Sequence, residues 1–255
     1  MKTEHMKKKL IYTSIAVFLY VLCILVSVNN TFILRFCDVR STVYTDYGKE
    51  QVNELNTAMQ KYIGSSLITF GKSEAVQALA DFPYLRMDSC EIRYPDRLVL
   101  TVTERKEMFC AEQNGRYAIV ADDGTVLCER QDNVNREDGA ANIRLTDFSI
   151  EYEVGKNVLG STAGSAFGVV LEVIAAAEAQ FGNMRAEVVS VQYTSGVYIW
   201  QLCSGGRIRL AAESSEDAAG SADAESPDYA GRFLSALQSF YALSEQDKVT
   251  FDILC

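Results

Sequence analysis

The stretch Tyr94-Pro95-Asp96-Arg97-Leu98-Val99-Leu100-Thr101-Val102-Thr103-Glu104-Arg105 decides how the chain is read. Leu98, Leu100 and Val102 fall at every second position, the period of a strand that buries one face. Pro95-Asp96 makes a tight turn ahead of them, so strands are expected at 86–94 and 97–104. Upstream, Val52, Leu55, Met59 and Ile63 are spaced by three and four, which predicts an amphipathic helix over 48–63 closed by Gly64. Ser73 is expected to cap a second short helix that stops before Pro83. A loosely alternating stretch at 32–44 reads as a strand ahead of both. The resulting order is strand, helix, helix, strand, strand.

Beyond residue 107 the pattern turns mostly to strands. Gln113-Asn114-Gly115 and Asp122-Asp123-Gly124 are hairpin turns on either side of a strand at 117–121. A polar loop is expected at 131–140 and a short strand at 142–145. Residues 163–181, rich in alanine, read as a helix, and 187–194, 197–202 and 207–210 as a meander. The stretch 211–228 holds six acids and no base among alanine, serine and glycine, and is expected to be a disordered loop. Tyr229, Phe233, Leu237 and Phe240 trace a last helix, and 249–254 a last strand.

At the other end, no charge occurs over 10–34, behind Lys2, Lys7, Lys8 and Lys9. This predicts a cytoplasmic tail at 1–9 and a single transmembrane helix at 10–31, with the rest of the chain outside the cell membrane. A cleaved secretory signal is the competing reading, although Val26-Ser27-Val28 stands where a small-x-small site would be. The net charge of −10 argues against nucleic acid as a partner.

The chemical inventory is sparse. His5 is the one histidine, so no Ser-His-Asp triad, Cys-His dyad or histidine-based metal site can form beyond the N-terminal tail. Gly71-Lys72-Ser73 imitates the end of a phosphate loop, but Ser66 occupies the position that needs glycine, and a helix start is the better reading. Asp122-Asp123 reads as a turn rather than an acid–base pair. Tyr193, Tyr198 and Trp200 are packing residues or an aromatic ligand patch. The seven cysteines are widely spaced, which leaves disulfides and free thiols both open. No cofactor and no metal are expected.

Together with Phe82-Pro83-Tyr84 and the hairpin Tyr117-Ala118-Ile119-Val120-Ala121-Asp122-Asp123-Gly124-Thr125-Val126, the 94–105 stretch resembles the bacterial FtsQ/DivIB cell-division family. In that family a strand ends in Glu-Arg and is followed by a strand–Asp–Gly–strand hairpin; Glu107 departs from a proline common there. The resemblance implies an α+β fold with a POTRA-like domain at 32–106, following the anchor, and a β-rich domain with helices packed on the sheet at 107–255. It implies a non-enzymatic scaffold at the division septum, with FtsB/DivIC-like and FtsL-like bitopic proteins as partners and the lipid bilayer contacted through the helix. By the same resemblance, partner contact falls on the last helix and strand, at Phe233, Leu237, Val249, Thr250, Phe251, Asp252 and Ile253. An anchored enzyme and a POTRA-bearing secretion or sensor component are the other classes left open.

Overall fold

The structure, a computed structural model, describes residues 2–68, 70–160, 164–211 and 228–255; for 2–12, 28–30 and 164 it describes the backbone. The chain is α+β and divides into two compact units between Glu104 and Arg105. The acidic stretch expected to be disordered lies, at 212–227, outside the described residues.

Helix α1 runs Lys2–Thr31, yet among the described residues no helix is long and apolar enough to cross a membrane. This overturns the transmembrane helix expected at 10–31. The sequence of α1 is polar at both ends, with Lys2, Lys7, Lys8 and Lys9 at the start and Asn29-Asn30-Thr31 at the finish.

After α1, the first unit continues with β1 (Phe36–Thr42), α2 (Asp46–Met59), α3 (Lys72–Leu79), β2 (Leu85–Arg93) and β3 (Arg97–Glu104). Its described strands form a sheet in the order β1-β3-β2, with β1 parallel and β2 antiparallel to β3. Leu98, Leu100 and Val102 of β3 face Val52, Leu55 and Met59 of α2 and Ala75 and Leu79 of α3 in one core. Complete burial of each leucine contributes about 1.5–3 kcal/mol. Thr45 starts α2 by accepting the Gly48 N–H at 2.9 Å. The start of α3 corrects the expectation for Ser73: Gly71 is the cap, and its N–H donates to Glu74 at 2.9 Å, half of a capping box that needs no side chain at the cap.

The second unit holds, among the described residues, an eight-stranded mixed sheet in the order β11-β10-β9-β8-β7-β4-β5-β6. Its strands are β4 (Glu107–Gln113), β5 (Arg116–Ala121), β6 (Val126–Arg130), β7 (Ile143–Thr146), β8 (Val188–Thr194), β9 (Val197–Leu202), β10 (Arg207–Ala211) and β11 (Asp252–Leu254). Helices α4 (Gly164–Phe181) and α5 (Tyr229–Tyr241) bury their apolar stripes against one face. Trp200 and Phe233 meet there with ring centroids 4.6 Å apart. Between α5 and β11 lies a short helix, α6 (Glu245–Val249).

Candidate functional site

The last elements of the second unit gather the residues expected to meet a partner, in a different arrangement from the one expected. The strand anticipated over 249–254 is confined to β11, because its first residues are helical. Ser244 caps α6 by accepting the Asp247 N–H, and Lys248 pairs with Glu245 at 2.6 Å. Val249 therefore ends a helix, exposed, and the Thr250 N–H is already used to close it on the Asp247 carbonyl at 3.2 Å. The signal was in the sequence: Ser244-Glu245-Gln246-Asp247 has the spacing of a capping box.

Two more expected contact residues face inward. Phe233 and Leu237 of α5 are completely buried in the core under the sheet. They cannot touch a partner, which corrects that expectation: the stripe they form at helical spacing is the one that binds α5 to its own sheet. Phe251 and Ile253 are half-buried on the same side, with the Phe251 ring 5.4 Å from that of Phe240. Asp252 lies on the opposite face, where its carboxylate accepts from Arg209 Nε at 2.8 Å.

β11 pairs in parallel with β10 and stands at the end of the sheet. The Phe251 carbonyl accepts the Arg207 N–H, and Cys255 bonds β10 through both its N–H and its carbonyl. Alternate residues of a strand turn their backbone groups to opposite sides, so the N–H and carbonyl of Asp252 and Leu254 point away from β10. Beside this edge runs a groove of about 570 Å³. Its floor is the small-residue side of α5, Gly231, Ser235, Ala236 and Ser239, with Ile253 and Cys255 as the sheet-side wall. Asp228 holds the start of α5 by accepting the Gly231 N–H at 2.7 Å. Gly206, in the β9–β10 turn, allows α6 to lie close: a Cβ there would sit 2.8 Å from the Lys248 carbonyl oxygen.

The Glu104-Arg105 pair, whose place at a strand end reads as structural or partner-facing rather than catalytic, takes a structural role. Glu104 accepts the N–H groups of Tyr44 at 2.6 Å and Thr45 at 3.0 Å, together with the Thr45 hydroxyl, all within the first unit. A Cβ at Gly48, in the first turn of α2, would overlap this carboxylate and displace it from the Tyr44 and Thr45 N–H groups. Arg105 binds Asp123 of the second unit at 2.7 Å. Burial raises the Asp123 carboxyl, but hydrogen bonds from Arg105 and Thr125 outweigh it and hold the group below the usual carboxylate range. Adjacent residues thus fasten one turn in each unit. Glu107 is also structural: it is buried, paired with Arg130 at 2.8 Å, and receives the Arg136 N–H at 3.2 Å.

The remaining candidates take up structural positions. Gly71-Lys72-Ser73 begins α3, and Asp122-Asp123 turns between β5 and β6. Trp200 and Tyr198 are core, with Tyr193 half-buried against Tyr198. All seven cysteines are free thiols; burial pushes Cys37 and Cys110 up to about 11, which leaves little thiolate at neutral pH. Among the described residues, no group of three or more histidine, cysteine, aspartate or glutamate side chains could hold a metal ion. No family model and no curated protein matches the chain.

Proposed function

We propose that the chain is a non-enzymatic assembly scaffold of the bacterial division machinery, of the FtsQ/DivIB type, which captures an FtsB/DivIC-like partner and with it an FtsL-like protein at the septum. One observation carries this reading: among the described residues no strand pairs with the outer edge of β11, which lies directly beside the α5 groove. A partner segment that adds as a further strand would bond the outward groups of Asp252 and Leu254. Every second side chain of that segment would then enter the groove, so main-chain bonds give affinity and the groove gives selectivity. The resemblance of the Glu-Arg stretch and of the strand–Asp–Gly–strand hairpin to the FtsQ/DivIB family supports this choice of partner. A fluorescent fusion tests the reading in cells. A mid-cell ring that co-purifies with the partner pair is expected, and an even distribution without those partners would overturn it.

A further inference from the structure

The sheet of the second unit has a second face, and among the described residues no helix packs on it. The strand register lays out its side chains in rows. One row runs Leu254, Arg209, Ile199, Gln192, Thr146, and the next Asp252, Arg207, Gln201, Ser190, Arg144. Val197 extends the apolar middle opposite Ala211. Leu254 is 61 % exposed, and Ile199 and Val197 are half-exposed. Around this middle stand Arg144, Arg207 and Arg209, with Asp252 as the one acid in the two rows.

That composition departs from the chain as a whole, which carries a net charge of −10. Arginine around an apolar middle is the make-up of a protein-binding patch rather than of an ordinary solvated sheet face. The arginines are also held in place. Arg207 Nε donates to Gln201 at 2.9 Å, Arg209 Nε donates to Asp252 at 2.8 Å, and the Arg144 guanidinium lies 6.0 Å from the Tyr117 ring centroid. Pre-set guanidinium groups lose little freedom when a carboxylate arrives.

We propose that this open face is a docking surface for an acidic protein segment that also carries apolar side chains. The site is distinct from the β11 edge and does not depend on the reading of that edge. Carboxylates on the segment meet the three arginines, while its apolar residues cover Ile199, Val197 and Leu254. The apolar middle favours a peptide over a bare polyanion, which would find charge but nothing to bury.

The probe is a fluorescent peptide of glutamates with leucine at every fourth position, titrated into the full chain by polarisation. Replacing Arg207→Glu together with Arg209→Glu is expected to weaken binding about tenfold or more, and Arg207→Lys with Arg209→Lys to keep most of it. Each variant is checked by circular dichroism, and the Gln pair serves if the Glu pair does not fold. The lysine counterpart of the peptide is expected to ignore the native chain and to bind the Glu pair. Equal binding by the Glu pair, or polyphosphate binding as tight as the peptide's, would each overturn the proposal.

Discussion

Glu104, the last residue of β3, receives the backbone N–H of Thr45 at 3.0 Å, so the end of the central strand holds the start of α2. Glu104→Ala would leave the Tyr44 and Thr45 N–H groups without this acceptor in a half-buried place. Hydrogen bonds to a charged acceptor contribute more than neutral ones, and the expected loss is about 3 kcal/mol in the first unit. Thermal unfolding measures it; an unchanged transition would mean that water replaces the carboxylate at no cost.

Asp123 gives the second unit an acid limb. Its folded carboxyl sits below its unfolded value, so its contribution is present above the unfolded value and lost as pH falls through the folded one. Stability of the second unit should therefore drop below about pH 4, near the ordinary aspartate range. Asp123→Asn should flatten that drop while lowering stability at pH 7. The same slope in both proteins would assign the limb to other carboxylates.

Leu100→Asp places a carboxylate on the fully buried face of β3. Burying it without a partner costs several kcal/mol, comparable to the whole stability of a small domain. The first unit is expected to lose its cooperative transition. A native melting temperature would contradict the placement of Leu100 against α2 and α3.

Phe233 and Leu237 show why the proposed partner surface was only partly legible. An apolar stripe at helical spacing looks the same whether it meets its own sheet or another protein; only the position of β9 decides, by setting Trp200 against Phe233. Phe233→Ala should accordingly cost roughly 3–5 kcal/mol of second-unit stability, since it opens a cavity in a closed core. A variant with native stability and reduced partner capture would return Phe233 to the surface.

Other elements were legible for local reasons. β3 could be read over 97–104 because its alternation is regular and a turn fixes its start. α5 and the β8–β9–β10 meander follow from apolar spacing and from turns at glycine. Helix α6 was missed because five residues are too few to show a period, although its cap was visible. At the N-terminus the uncharged run was read as a span, whereas among the described residues no helix is long and apolar enough to cross a membrane. The parallel pairings β4 with β7, β7 with β8 and β10 with β11 join segments distant in sequence. No local pattern specifies such partners, and the edge position of β11 depends on them.

Strand addition at β11 is the central claim, and proline at Asp252 tests it most directly. Of the two backbone positions that could carry the test, Thr250 spends its N–H on closing α6, whereas the Asp252 N–H points away from β10. Asp252→Pro also removes the exposed pair with Arg209, which is worth little to stability. The measurement is capture of the FtsB/DivIC-like partner segment by the purified chain, native against Asp252→Pro, with circular dichroism on both. The account predicts a folded variant whose capture falls by about tenfold or more, as the loss of a main-chain bond and of the room for its neighbour requires. A folded variant that captures the partner at native affinity would contradict it.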